Sequence, residues 1–408
     1  MRTRPHLIVT VAAIAALAAG CGSSKDSGSS SSSGSTSSSS GGGVKGKTLT
    51  IGISAALAGP FAPFDTPELA GMKYAEKKIN GSGGYQGLKV KVVSQNNRGK
   101  ADVTSTTTQT LLDQGVKAFV LTTADTSVAS GQLIQKAGGV MTMGVNTPPV
   151  LTQEAGPSSF FVNFADNVQA SAMASYACSK GYKSAYELVD PESPYTSATT
   201  MGKYFKEGFA KACGGKVTGQ DTFKIGSSDF SSQVTKIQNA SPKPDVIFTS
   251  MFVPDSGTLL KQLRGAGVKT PLLGTDGDDD PLLVKTAGSA ADGATFATHG
   301  FPTPGGPLAS FLKDFETVTG KKAETSTFEA IGRDQVYALA AAAAQAGSTD
   351  PAQMAAKLKS ISGLKLVQGS LTMNPTTRIP DLPVSVVTVK GGKPALVKVI
   401  TPTFVPAP

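Results

Sequence analysis

From Lys47 onward, short apolar runs alternate with amphipathic runs along the chain. The apolar runs have the length and residue types of β-strands, as in TLTIGIS, LKVKVVSQN, KAFVLTT and VMTMGV. The runs between them have helical periodicity, as in PELAGMKYAEKKIN, ADVTSTTTQTLLDQG and TSVASGQLIQKAGG. Strands separated by helices of about 10 to 15 residues predict parallel sheets with helices on both faces.

The alternation then repeats. KSAYELVD, KVTGQDTF, DVIFTSMF and TPLLGT read as strands, with a helix from about Ser197 to Cys213 and further helices in SSQVTKIQNA and DSGTLLKQLRGAG. Long helices are predicted near 306–319, 327–347 and 351–361, followed by the antiparallel pattern PVSVVTVKGGKPALVKVI. We therefore expect an α/β fold with two similar, doubly wound lobes. The 365 residues from Val44 onward are also too many for a single lobe.

The N-terminus has the pattern of an export signal. Arg2, Arg4 and His6 precede an apolar run of 13 residues, Leu7 to Ala19, which is shorter than the roughly 20 residues that span a membrane. LAAGC then places small residues before Cys21, as in the lipobox of bacterial lipoproteins. We expect residues 1–20 to be a lipoprotein signal peptide and Cys21 to be lipidated. The alternative is cleavage at an A-x-A-like site, which would give a free secreted product.

Residues 21–46 form a tract rich in serine and glycine. Such a tract buries no apolar surface and behaves as a flexible coil with a reach of roughly 25 Å. We expect a tether that holds the body, through its lipid anchor alone, at the outer face of the cell membrane.

The charge does not indicate nucleic-acid binding. The formal net charge of +9 falls to +7 when Arg2 and Arg4 are removed, and the lysines are scattered rather than clustered. We therefore interpret the charged residues as part of an ordinary solvated protein surface.

Cys178 and Cys213 remain after Cys21 is assigned to lipid. Both lie late in successive predicted helices and would face an oxidising environment after export. A disulfide is our prediction. A reactive thiol pair and two buried free thiols are the alternatives.

Four carboxylates crowd the stretch GTDGDDDPLL, at Asp276, Asp278, Asp279 and Asp280. The stretch follows the predicted strand TPLLGT, and ligands of open α/β sheets bind beyond the carboxyl ends of strands. The three later aspartates precede PLLVKTAG, so we expect them to cap that helix.

Metal and hydrolase chemistry fit this sequence poorly. A calcium loop starting at Asp276 would have Pro281 instead of glycine at its sixth position and Ala287 instead of glutamate at its twelfth. His299 is the only histidine after the signal, and no G-x-S-x-G elbow is present. We expect no metal, no cofactor and no enzymatic activity.

Five stretches in order resemble one family. They are IGISAALAGPFAPF, INGSGGYQGLKVKVVSQNN, SPYTSATTMGKYFKEGFAKACGG, SSDFSSQVTKIQNASPKPDVIF and LLKQLRGAGVKTPLLGTDG. Together they resemble the leucine/isoleucine/valine-binding family of ABC-transporter substrate-binding proteins, which has the type I periplasmic-binding-protein fold.

This resemblance implies two lobes joined by a three-segment hinge that close on one small polar solute. Lobe one would hold 47–164 and 295–373, and lobe two 165–294 and 374–400, with a tail at 401–408. The crossings would lie near 163–167, 292–295 and 373–374. It also implies a monomer that works with an ABC permease and ATPase subunits. A ligand-sensing receptor that signals to a membrane partner is the alternative on the same fold.

The resemblance further implies a ligand site. Asp276 would bind a ligand ammonium group, and the other implied contacts are Phe64, Thr126, Ser127, Thr147, Tyr195 and Phe252. Asp125 stands about where the family has a serine. If Asp125 faces the cleft, a neutral or cationic ligand is favoured over a plain α-amino acid.

Overall fold

A computed structural model of the chain describes residues 43–122, 124–191, 197–325 and 327–408, apart from the side chains of 124, 125 and 197–199. The predictions for the signal peptide and for lipidated Cys21 lie outside the described residues. So do those for Tyr195 and for the side chain of Asp125. Within the described ranges, no helix is long and apolar enough to cross a membrane.

The first sheet consists entirely of parallel strands. Its strands are β1 (Thr48–Ala55), β2 (Lys89–Asn96), β3 (Ala118–Leu121), β4 (Val140–Met143) and β5 (Ser159–Phe161). They run in the order β2-β1-β3-β4-β5. Every residue of β3, β4 and β5 is buried, because helices cover both faces of the sheet.

The second sheet is mixed. Its strands are β6 (Ser184–Val189), β7 (Lys216–Thr222), β8 (Val246–Thr249), β9 (Leu272–Gly274), β10 (Thr295–Thr298), β13 (Val384–Lys390) and β14 (Lys393–Ile400); a separate small pair is formed by β11 (Leu364–Lys365) and β12 (Ser370–Leu371). The order is β14-β13-β10-β9-β8-β6-β7. Strands β6 to β10 are parallel, and the β13–β14 hairpin adds antiparallel to β10.

Helices cover both sheets. They are α1 (Ala62–Gly81), α2 (Ala101–Asp113), α3 (Ala124–Lys136), α4 (Leu151–Glu154), α5 (Asp166–Ser179), α6 (Ser197–Cys213), α7 (Ser231–Asn239), α8 (Asp255–Gly265), α9 (Leu282–Ala287), α10 (Pro307–Thr319), α11 (Phe328–Ala346) and α12 (Pro351–Ser360). α1, α10, α11 and α12 share one core with the first sheet. α5 and α6 pack on one face of the second sheet, and α7, α8 and α9 on the other. We call these two bodies the first lobe and the second lobe. They confirm the predicted α/β fold with mainly parallel sheets in two lobes.

The chain passes between the cores of the lobes more than once. Val162 is buried in a core of the first lobe and Phe164 in a core of the second, and Ala165 packs again in a core of the first lobe. Thr298 ends β10, which lies in the second sheet. We therefore place the second crossing after Thr298, later than the sequence-based position at 292–295.

The last crossing is also later than the sequence suggests. Ile379 packs in a core of the first lobe and Leu382 in a core of the second. The backbone of Phe161, in β5, donates to the carbonyl oxygen of Arg378 at 2.9 Å. This contact keeps the chain on the first lobe beyond 373–374, and we place the crossing near residues 380–382.

A disulfide joins Cys178, in α5, to Cys213, at the end of α6, across a sequence separation of 35 residues. α5 and α6 pack side by side on the same face of the second sheet. The structure therefore contains the disulfide, one of the three possibilities that the sequence left open for these cysteines.

Candidate functional site

Aromatic side chains of the two lobes meet between the sheets. Phe252 follows β8 in the second lobe, while Phe61 and Phe64 lie in the loop and first helical turn after β1 in the first lobe. The rings of Phe64 and Phe252 pack edge to face with centroids 5.5 Å apart, and those of Phe61 and Phe252 lie 5.9 Å apart. Phe328, which opens α11, packs against Phe64 at 5.4 Å. These residues form an apolar wall contributed by both lobes.

Buried hydroxyl groups lie at the start of α3. Thr126 and Ser127 are in its first turn, and both are buried. The Asn146 side-chain amide donates to Ser127 Oγ at 2.6 Å. Thr147, the next residue, is also buried and accepts the backbone N–H of Asp166 on its carbonyl oxygen at 2.8 Å. Because a helix N-terminus has unpaired N–H groups and a positive end, this corner suits an anionic or strongly polar group.

Two buried acids in α1 support the first loop. Asp65 accepts the backbone N–H of Ala56 at 2.6 Å and also accepts the Thr122 hydroxyl. Glu68, one turn later, is fully buried and accepts the backbone N–H of Val145 at 3.3 Å. Burial, and then the neighbouring Asp65 carboxylate, raises the pKa of Glu68 to about 8. Glu68 therefore carries a proton at neutral pH.

Asp276 follows β9 in the second lobe, with only 7% of its surface exposed. Its Oδ1 accepts the Gln169 side-chain amide at 2.9 Å, and its Oδ2 lies 2.9 Å from His299 Nε2. The Asp276 backbone N–H donates to Gln169 Oε1 at 3.1 Å. A carboxylate can accept about four hydrogen bonds, so Asp276 keeps acceptor capacity for a ligand.

The His299 side chain stacks on an aromatic ring. Its imidazole stacks on Phe164 with centroids 3.7 Å apart and planes 9° from parallel. Phe164 lies at the first crossing and His299 directly after β10. The His299 imidazole therefore contacts both the Phe164 ring and the Asp276 carboxylate.

The three aspartates after Asp276 have three different roles. Asp280 accepts the backbone N–H of Leu282 at 2.6 Å and caps α9, as expected. Asp279 accepts the hydroxyls of Thr298 and Thr327, the latter at 2.6 Å, and so joins the second lobe to the residue before α11. Asp278 is buried, and burial followed by the Asp276 and Asp279 carboxylates raises its pKa to about 7. The expectation that all three cap the helix is met by Asp280 alone.

Among the described residues, no cluster of three or more His, Cys, Asp or Glu side chains could hold a metal ion. In the GTDGDDD stretch, amide, imidazole, hydroxyl and backbone groups contact the carboxylates of Asp276, Asp279 and Asp280.

The site residues that the sequence predicted lie on both lobes. Phe64, Thr126, Ser127 and Thr147 lie on the first lobe, and Phe252 and Asp276 on the second. Phe64 and Phe252 are in direct contact.

Sequence reasoning did not single out four further residues as site residues: Phe61, Asn146, Gln169 and Phe328. Phe61 lies in the same aromatic-rich loop as Phe64, which was a usable signal. Gln169 and Phe328 lie on helices whose sequences show no sign of what they face, so only the tertiary structure identifies them.

Comparison with known proteins agrees with this architecture. The family model described as "Periplasmic binding protein" matches residues 48–393. The Leu/Ile/Val-binding protein homolog 3 of Brucella melitensis is 27% identical over 334 residues, covering 80% of this chain and 88% of that protein.

Two solved structures share the fold. One is the branched-chain amino acid transporter substrate binding protein LivJ of Streptococcus pneumoniae in complex with isoleucine, with a TM-score of 0.76, 23% identity and coverage of 87% of this chain and 100% of that one. The other is an ABC-transporter solute binding protein of R. palustris in complex with 4-hydroxybenzoate, with a TM-score of 0.77, 20% identity and coverage of 87% and 97%. On the extent of the family match, this chain belongs to the periplasmic binding protein family.

Proposed function

We propose that this protein is the extracytoplasmic solute-binding component of an ABC importer, which closes its two lobes around one small organic solute. The contact of Phe252 with Phe61 and Phe64 carries this proposal, because it brings side chains of the two lobes together between the sheets. A solute held there would be covered by both lobes and shielded from water. Permease and ATPase subunits would be its partners.

For the solute, we propose an amino acid with an apolar side chain. Asp276 would bind the ammonium group, since a charge-assisted hydrogen bond is about twice as strong as a neutral one. Thr126, Ser127 and the α3 N-terminus would receive the carboxylate. The Phe61, Phe64 and Phe252 rings would cover the side chain. The isoleucine complex of the Streptococcus pneumoniae protein supports this class. The 4-hydroxybenzoate complex makes an aromatic acid the competing class.

We further propose that Cys21 carries a lipid and that the tract to residue 46 acts as the tether. A binding component held near its permease would meet it without diffusing away. Metabolic labelling with a radioactive fatty acid tests this. Label incorporated by the native protein and absent from Cys21→Ala is the expected result, and label retained by that variant would contradict the anchor.

The decisive experiment measures thermal unfolding of the protein with leucine, isoleucine, polar amino acids, benzoate and 4-hydroxybenzoate. A ligand at about a thousand times its Kd adds roughly 4 kcal/mol of stability, which raises the Tm by several degrees. We expect the shift with leucine or isoleucine. Asp276→Asn should then weaken amino-acid binding at least about tenfold, because it removes the charge that attracts the ammonium group.

Asp113→Asn, at an exposed position at the end of α2, is the matched control and should bind as the native protein does. If benzoate alone shifts the Tm and Asp276→Asn binds it unchanged, the amino-acid assignment is wrong and the aromatic-acid class replaces it. If none of these solutes shifts the Tm, both solute classes are wrong.

A further inference from the structure

His299 is the one histidine among the described residues, and it contacts the carboxylate that the proposed function assigns to the ligand ammonium group. It is only 3% exposed. Its Nε2 atom lies 2.9 Å from Asp276 Oδ2, and its ring stacks on Phe164. Gly277, the residue after Asp276, packs against Phe252, since a Cβ atom on that glycine would lie 2.6 Å from Phe252 Cβ. The Asp276–His299 pair therefore lies beside the aromatic residue that meets the first lobe.

The contact with Asp276 decides which ring nitrogen of His299 carries a hydrogen atom. An ionised carboxylate can only accept hydrogen bonds, so Nε2 holds a hydrogen atom in this contact. The other ring nitrogen, Nδ1, is buried and has no hydrogen-bond partner in the described part of the chain. The imidazole can therefore gain or lose a proton at Nδ1 without breaking a hydrogen bond.

A proton at Nδ1 changes the charge that Asp276 offers to a ligand. With a neutral imidazole, the pair carries the single negative charge of the carboxylate. With an imidazolium, the pair has no net charge, and a ligand ammonium group loses most of its electrostatic attraction to Asp276. Histidine side chains ordinarily make this change between pH 5 and 8. The imidazole proton and a ligand ammonium group therefore compete for one carboxylate.

Gln169 is the second side chain that holds Asp276, and it has no titratable atom. Its Nε2 donates to Asp276 Oδ1 at 2.9 Å, and its Oε1 accepts the Asp276 backbone N–H at 3.1 Å. Each carboxylate oxygen has two lone pairs, so each keeps one for a ligand. Of the two side chains that orient Asp276, His299 is the one that can change its charge.

Three further acids among the described residues lie close to this pair. Asp166, at the start of α5, accepts a hydrogen bond from the same glutamine at 3.1 Å. Asp279 accepts the hydroxyl of Thr298, the residue before His299. Asp278 lies in the same loop, and burial raises its pKa to about 7. Ionisation of Asp278 would also favour an ammonium group in this pH range, so the test has to separate Asp278 from His299.

We propose that His299 is a positioning residue of the solute site, which orients Asp276 while neutral and cancels the charge of that carboxylate when it takes up a proton from solvent. The site binds its solute tightly near pH 7.5 and more weakly toward pH 5. By linkage, a solute that binds in the acid range displaces this proton, and its affinity falls by at most about tenfold per pH unit. This inference rests on the proposed function, in which Asp276 meets the ammonium group of an amino acid.

The first test measures isoleucine binding to the full protein by calorimetry at pH 5 and pH 7.5. Isoleucine keeps both of its charges over this range, so the ratio of the two Kd values reports on the protein. We expect the native Kd to be about tenfold larger at pH 5. His299→Gln keeps a donor for Asp276 but takes up no proton, so its ratio should fall to within about twofold. Asp278→Asn is the matched control and should keep the native ratio.

The ratio distinguishes a titrating group from a structural one. A merely structural His299 would make His299→Gln weaker by the same factor at both pH values, and the native ratio would remain. That result would overturn the proposal. Loss of the ratio in Asp278→Asn alone would assign the pH dependence to Asp278 and would overturn the proposal too, as would a native ratio near one.

The second test needs no solute. His6 and His299 are the only histidines of the sequence, so a His6→Gln protein grown with isotope-labelled histidine gives one imidazole signal by nuclear magnetic resonance. In Asp276→Asn this signal should titrate at a lower pH, because the carboxylate that stabilises the imidazolium is gone. Equal titration midpoints with and without the carboxylate would overturn the role of His299 even if isoleucine binds. A shifted midpoint with no binding of isoleucine would instead refute the proposed solute, and the competition with it.

Discussion

At the scale of single residues, the buried acids determine how the protein responds to pH. Glu68 is the strongest case, because it is fully buried beside the Asp65 carboxylate. Its pKa is raised to about 8 by burial. An acid that keeps its proton in the folded protein and loses it in the unfolded chain makes stability fall as the pH rises.

We predict that Glu68 makes the free energy of unfolding depend measurably on pH. Between the unfolded pKa of about 4.5 and the folded pKa of about 8, stability should fall by up to about 1.4 kcal/mol per pH unit. Glu68→Gln should remove this contribution, so that the variant gains stability relative to the native protein as the pH rises from 5 to 8. Urea unfolding at several pH values measures it. Glu154→Gln, on the exposed surface, should keep the native slope, and an unchanged slope in Glu68→Gln would contradict the prediction.

At the scale of elements, α1 and α11 pack so closely that their glycines decide the contact. A Cβ atom on Gly71 would lie 1.8 Å from the carbonyl oxygen of Glu329, and one on Gly332 would lie 1.9 Å from that of Glu68. Backbone cannot move aside as a flexible side chain can. The close packing of α1 against α11 therefore requires glycine at both positions.

Gly71→Ala should destabilise the protein by about 1 to 3 kcal/mol, because the added methyl group forces the helices apart. Gly81→Ala, in the same helix, is the matched control, since a Cβ there meets nothing within 4 Å. That change should be neutral or slightly stabilising, because alanine is the better helix former. Chemical denaturation of both variants compares them, and equal stabilities would show that the helices adjust without cost.

The disulfide between α5 and α6 also acts at this scale. It closes a loop of about 36 residues, and the chain-entropy treatment gives a stabilisation of about 3 to 4 kcal/mol. We predict that loss for Cys178→Ala/Cys213→Ala, measured by urea unfolding. A reducing agent should destabilise the native protein to a similar extent and leave the double variant unaffected. Sensitivity of that variant to the agent would mean that the agent acts elsewhere.

At the scale of the whole molecule, the aromatic contact between the lobes should favour the arrangement seen here. Two aromatic pairs join Phe252 to the first lobe, at about 0.5 to 1.5 kcal/mol each. Phe252→Ala should therefore move the equilibrium toward separated lobes. Small-angle X-ray scattering should show a radius of gyration above the roughly 21 Å expected of a compact body of this length.

Phe404→Ala is the control for this measurement, because that half-exposed ring lies in the tail beside Lys211 and outside the cleft. It should scatter as the native protein does. Identical scattering from Phe252→Ala would mean that other contacts, such as Asp279 with Thr327, hold the lobes together on their own.

Much of this architecture could be predicted from periodicity. The long helices at Pro307–Thr319 and Phe328–Ala346 lie within a residue or two of their predicted bounds, since their apolar spacing is strong. Strand β5, Ser159–Phe161, was not predicted. It has three residues and exists through its pairing with β4, which no local pattern reveals.

The sequence by itself determined the class of fold, the family resemblance, and the strand ends at which Asp276, Phe252 and Thr126 lie. These follow from local spacing, because strand, helix and turn are each set by neighbouring residues. The partners of Asp276, the separate roles of Asp278 to Asp280 and the later crossings were decided by the tertiary structure alone. Each depends on groups far apart in the chain, as Gln169 and His299 are from one another, and such distances appear only once the two lobes are packed.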